Sequence, residues 1–138
     1  MPVRRLDHVA VPTDDMDAML AFYQAMGFTV GTEFAPLAYS VCQGDMKINI
    51  HSPDLWRGGE FTLRGPTAQP GCGDLCMVWD GTEADLVAML DEVGAEVIEG
   101  PVDREGGATG AEGAALVGSS RYTRDPDGNL LEFIIYPA

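Results

Sequence analysis

The feature that most constrains how this 138-residue chain folds is a unit of strand, helix and glycine that occurs twice. RLDHVAV alternates apolar and polar residues as a strand does, and VPTDD follows it with a turn and helix-start residues. From about Asp15 to Met26, the residues Met16, Met19, Leu20, Tyr23 and Met26 recur at helical spacing, and Gly27 ends the run. The second half repeats the sequence of events with GDLCMVW, DGTEA and a helix from about Glu83 to Val93 closed by Gly94. Here Thr82 is the N-cap, Asp85 sits three residues on, and Leu86, Met89, Leu90 and Val93 form the apolar stripe. His8 to Asp74 is 66 residues and Gly27 to Gly94 is 67, so the two units superimpose and imply a duplication of about 65 residues.

Each helix is followed by short strand candidates. They are FTVGTEF, LAYSVCQ and MKINIH in the first half, and AEVIEGP, ALVGSSRYTRD and NLLEFIIY in the second. Aligning Ile48-Asn49-Ile50 with Leu131-Glu132-Phe133 gives an offset of 83, and the added length falls in the glycine-rich stretch 104–118. That stretch reads either as a disordered insertion or as a lid over a site. Asp125-Pro-Asp-Gly-Asn129 is a turn signal before the last strand. Pro53, Pro66, Pro70 and nearby glycines make the segment after His51 a mostly irregular linker. The expectation is one domain over 1–138, built from modules at approximately 1–65 and 70–138.

Eight lysines and arginines stand against 22 aspartates and glutamates, a formal charge of -14. Such a chain repels phosphate backbones and anionic lipid heads, which argues against nucleic-acid and membrane partners. Met1 to Val11 is interrupted by Arg4, Arg5, Asp7 and His8, and no window reaches the roughly 20 apolar residues of a membrane span. A soluble, cytoplasmic protein is expected. Three cysteines, Cys42, Cys72 and Cys76, suit a reducing compartment and read better as small hydrophobes than as zinc thiolates.

Period two decides which side chains share a strand face. His8 and Ala10 lie opposite Val9 and Val11, the natural floor for a helix. Lys47, Asn49 and His51 share a polar face, Asp74 sits with Cys76, and Glu132 interrupts an otherwise apolar strand. An unpaired carboxylate buried there is costly, so Glu132 requires a cation, a hydrogen-bond network or solvent. His8, His51, Asp74 and Glu132 are the candidate metal ligands. Imidazole and carboxylate suit zinc, nickel, iron or manganese. Lys47 and Arg121, with Arg124, are candidate anion contacts against a bland surface-pairing alternative. Tyr39, Trp56, Phe34 and Tyr122 are candidate cavity walls against ordinary packing.

These residues carry a family resemblance. LDHVAVPTDDMDAMLAFYQAMGF is similar to the first module of the vicinal oxygen chelate superfamily, which includes glyoxalase I, fosfomycin resistance enzymes, extradiol dioxygenases and bleomycin-binding proteins. RYTRDPDGNLLEFI is similar to its last turn and strand. KINIH, PTAQPGCGDLCMV and EGPVDREG more narrowly resemble glyoxalase-like virulence proteins and glyoxalase domain-containing protein 5. The resemblance implies an α+β fold of two βαβββ modules forming a curved mixed sheet around a cavity, and a homodimer. By position it puts metal ligands at His8 and Glu132 and replaces two others. Asp74 stands where many relatives have histidine, and Asn49 stands at a position often glutamate in glyoxalase I, with His51 two residues beyond. The implied chemistry is a divalent-metal-dependent lyase or isomerase that chelates a small oxygenated metabolite and stabilises an enediolate or alkoxide, with Glu132 or Asp74 binding metal or moving a proton. The alternatives are a metal-independent small-molecule or antibiotic-binding protein, with Lys47, Asn49, Tyr39, Trp56 and Arg121 as ligand contacts, and an extradiol-type dioxygenase.

Overall fold

In a computed structural model describing residues 2–138, each repeat forms its own unit. The first runs up to Gly73 and includes Pro126–Gly128; the second comprises Asp74–Asp125 and Asn129–Ala138. The first contains β1 (His8–Pro12), α1 (Met16–Ala25), β2 (Thr29–Gly31), β3 (Ala38–Gln43), β4 (Met46–His51) and a short helix α2 (Pro53–Trp56). Its sheet order is β1-β4-β3-β2, with β1 and β4 parallel and the other pairs antiparallel. The second contains β5 (Asp74–Val78), α3 (Glu83–Glu92), β6 (Glu99–Thr109), a 3-10 turn (Ala111–Gly113), β7 (Ala115–Arg124) and β8 (Leu130–Ile135), in the corresponding order β5-β8-β7-β6. Both units are therefore βαβββ modules with mixed sheets. The register also repeats, because His8 aligns with Lys47 as Asp74 aligns with Leu130, preserving the offset of 83 between β4 and β8.

Local chemistry starts and stops the helices where the pattern requires. The Asp15 carboxylate accepts from Ala18 N at 3.1 Å, and the Thr82 hydroxyl accepts from Asp85 N at 3.1 Å. Gly27 and Gly94 follow the two helices with φ of 101° and 74°, the left-handed geometry that lets the chain leave a helix. The helix stripe Met19, Tyr23 and Met26 is buried with Val11, Ile48 and Ile50 in the first module, where Tyr23 meets Phe28 edge-on at 5.4 Å. Leu86 and Leu90 are buried in the second, as are Met77, Leu131 and Phe133 of its sheet. Each fully buried large side chain stabilises its module by roughly 1.5–3 kcal/mol relative to exposure.

One expectation is corrected: the glycine-rich stretch is not a disordered insertion, because it forms the β6–β7 hairpin, with irregular register between Glu105 and Thr109. At Gly118 the absence of a side chain serves close approach: a Cβ there would lie 2.6 Å from Ile134 Cγ1 and 2.8 Å from the Ile135 carbonyl oxygen. The linker is mostly irregular, as its composition suggests, apart from the four residues of α2. Ser52, directly after β4, caps α2 by accepting from Leu55 N at 3.3 Å. Among the described residues no helix is long and apolar enough to cross a membrane.

Candidate functional site

The first module holds a cavity of about 340 Å³ on the sheet face that α1 does not cover. Strand alternation creates its floor. Lys47, Asn49 and His51 project from β4, while Ser40 and Ala38 stand beside Asn49 and His51 on β3, and Gly31 adjoins Ser40 on β2. The opposite set on β4, Ile48 and Ile50, is buried in the core. Phe34, Leu37, Leu55 and Phe61 supply apolar walls from the segments flanking the strands.

Backbone bonds place those walls. Leu37 N and Ala38 N both bond Phe34 O, which curls the β2–β3 connection over the sheet edge, and Ser52 N bonds Leu37 O at 2.9 Å. The Ser52 cap then starts α2, presenting Leu55 to the cavity. Trp56 Nε1 donates to Thr13 O at 2.9 Å, and Thr13 N donates to His51 O at 3.0 Å, so the end of β4 and α2 are tied to the end of β1. Phe61 meets the His51 ring edge-on at 5.3 Å. Burial, reinforced by the positive charge of Arg64, holds His51 below the usual imidazole range. His51 is therefore neutral at pH 7, able to donate through one ring nitrogen and accept through the other.

Four of the expected residues, Lys47, Asn49, His51 and Tyr39, line this cavity, as does Phe34. Trp56 does not. Its indole is committed to Thr13, and Arg57 and Arg64 lie over the ring at 5.1 and 5.7 Å. Arg121 is 8% exposed and pairs with Glu83 at the start of α3, so it joins helix to sheet in the second module. Phe61, Leu55, Leu37 and Ser40 were not singled out by sequence reasoning. Phe61 comes from the linker, where composition carries no periodic signal; Ser40 was available from the β3 alternation.

The metal candidates are distributed differently. His8 is exposed at the start of β1, and its Nδ1 meets the Asp7 carboxylate at 2.7 Å. His51 aligns with Pro12 at the other end of the same strand pair, four positions away, or about 13 Å along the strand. In the second module Cys76 aligns with Glu132, and Asp74 precedes Cys76 on the same face. The Glu132 carboxylate accepts from the buried Ser120 hydroxyl at 2.6 Å, which supplies the hydrogen bond that a carboxylate in this apolar strand requires. Though part of Cys76 reaches solvent, desolvation of its sulfur, followed by the charge and hydrogen bond of Glu132, pushes the thiol up to about 12. It stays protonated at neutral pH. Arg104 donates from Nε to Tyr122 Oη at 3.0 Å, with Tyr122 in register with Glu132. Among the described residues no three His, Cys, Asp or Glu side chains are gathered as a metal-binding set.

The profile of the Glyoxalase/Bleomycin resistance protein/Dioxygenase superfamily matches residues 5–133. The chain belongs to this superfamily. It is 40% identical over 136 residues to Glyoxalase domain-containing protein RDO1 of Mycosarcoma maydis, covering 99% of this chain and 70% of that protein. Virulence protein STM3117 of Salmonella typhimurium is 34% identical over 137 residues, covering 99% of this chain and 87% of that protein. The crystal structure of STM3117 matches with a TM-score of 0.80 at 33% identity, covering 99% of this chain and 100% of that one. The superfamily fold is also shared with TnmS3, an antibiotic binding protein from Streptomyces sp. CB03234, at a TM-score of 0.68 and 22% identity, covering 99% of this chain and 99% of that one.

Proposed function

We propose that this protein binds a small organic molecule in the first-module cavity without a metal ion. The observation that carries the reading is the composition of that cavity. Apolar walls from Phe34, Leu37, Leu55 and Phe61 surround three polar side chains in a row on one strand, in a volume suited to a drug-sized ligand. A neutral His51 and Asn49 provide directional hydrogen bonds, while the walls supply the burial that drives binding. That the superfamily fold also serves an antibiotic binding protein is consistent with binding without turnover.

Metal-dependent lyase or isomerase chemistry is the competing reading, and it needs His8, Glu132 and a third donor around one ion. His8 engages Asp7 through Nδ1 alone and Glu132 accepts from Ser120 through one oxygen, so what favours the binding reading is the composition of the cavity. The test uses untagged protein treated with EDTA and titrated with the neutral fluorophore N-phenyl-1-naphthylamine. Saturable one-site binding that survives chelation and weakens in Phe61→Ala supports the proposal. Near-stoichiometric divalent metal in untreated protein, lost in His8→Ala and required for binding, contradicts it.

A further inference from the structure

Lys47 is the only lysine in the chain, and it lines the cavity. This placement runs against the composition, where acids outnumber bases 22 to 8. Among the described residues, ion pairs occupy Arg5, Arg57 and Arg121, with Asp45, Asp14 and Glu83 respectively. Lys47 makes no salt bridge among the described residues; the Asp7 carboxylate, whose charge Lys47 feels at longer range, is hydrogen-bonded to its register neighbour His8.

The charges follow the strand. Lys47 stands at one end of the polar row and His51 at the other, about 13 Å away along β4, with Asn49 between them. The His51 end is neutral at pH 7 and feels the positive charge of Arg64. Glu33 is the single acid in the lining, and it is exposed on the connection after β2, beyond Gly31, which aligns with Ser40 and so lies toward the Ala38–His51 end. An acid there does not neutralise the ammonium at the far end of the row.

Resting on the binding reading above, we infer that the ligand is an elongated organic anion, with an apolar or aromatic body between Phe34 and Phe61 and its carboxylate or sulfonate on Lys47. The chain's net negative charge does not override this preference. At physiological ionic strength the Debye length is about 8 Å, so scattered exterior acids are largely screened while a contact pair inside a half-buried cavity is not. A charge-assisted bond from an ammonium to an anionic oxygen also fixes which end of the ligand enters first.

Two fluorophores with one aromatic body test the inference. 8-Anilino-1-naphthalenesulfonate carries the anion that N-phenyl-1-naphthylamine lacks. The wild-type protein is expected to bind the sulfonate about tenfold more tightly than the neutral probe, and Lys47→Met to abolish the difference while leaving the neutral probe within twofold. Arg5→Gln, outside the cavity, is the control and leaves both affinities unchanged. Equal affinities for the two probes, both weakened by Phe61→Ala and neither by Lys47→Met, overturn the anion preference while leaving the binding reading intact. Tighter binding of a naphthylammonium probe than of the sulfonate overturns it in favour of a cationic ligand. Binding of neither probe in a Phe61-dependent manner overturns both. Circular dichroism on each variant separates loss of the site from loss of the fold.

Discussion

Gly118→Ala probes the most unexpected part of the fold, the glycine-rich hairpin. An added Cβ would sit 2.6 Å from Ile134 Cγ1, 2.9 Å from Ile134 Cδ1 and 2.8 Å from the Ile135 carbonyl oxygen. The Ile134 side chain can rotate, but the carbonyl belongs to β8, which pairs with β7 from Ser119 to Arg124. Relief requires the two strands to separate locally, an overpacking cost of about 2 kcal/mol. For a chain of this length roughly 3 °C of melting temperature corresponds to 1 kcal/mol, so the transition should fall by about 6 °C. Gly107→Ala is the matched control. It lies on the same hairpin, has no neighbour within 4 Å of the added atom, and has no positive φ. It should be neutral or raise stability by up to about 1 kcal/mol, through the lower entropy of the unfolded chain. Thermal unfolding followed by circular dichroism measures both. Equal shifts in the two variants, or none in Gly118→Ala, would refute the packed-hairpin description and restore a loose segment.

Two further predictions concern titration. The chain has two histidines, so an NMR titration of untagged protein resolves His51 directly, and it should titrate below 6.5, with Arg64→Gln moving it upward. Because the folded value is lowered, the unfolded chain binds this proton more readily below about 6.5. His51 therefore adds no penalty above that pH, and stability is lost as pH falls from there through the folded value, a loss that His51→Gln should remove. Cys76, pushed up to about 12, should react slowly with iodoacetamide at pH 8 although it is exposed, and Glu132→Gln should speed the reaction; an unchanged rate in the variant, read by peptide mass spectrometry, would contradict the Cys76–Glu132 contact.

Much of the fold was legible because it rests on short-range chemistry repeated twice. Asp15, Thr82, Gly27 and Gly94 punctuate the helices as their residue types require, and the offset between Asn49 and Glu132 survives in the strand register. Alternation also placed Lys47, Asn49 and His51 on one face. What alternation cannot give is the partner that a polar group finds across the module. Arg121 reads from sequence as a candidate ligand contact, yet Glu83 of α3 takes its guanidinium. Trp56 reads as a cavity wall, yet Thr13 O, 43 residues earlier, takes its indole N–H. Glycine enrichment was ambiguous for a related reason, since backbone freedom and close packing select the same residue and only the neighbour, here Ile134 or Tyr136, distinguishes them.

Metal-free binding in the first-module cavity is open to amide chemical-shift mapping of EDTA-treated, isotope-labelled protein with 8-anilino-1-naphthalenesulfonate. Binding there gives saturable shifts concentrated at Ser40, Lys47, Asn49, His51 and Phe61, unchanged when zinc, nickel, iron or manganese is restored. Shifts that appear only with added metal and centre on His8, Asp74 and Glu132 would contradict it.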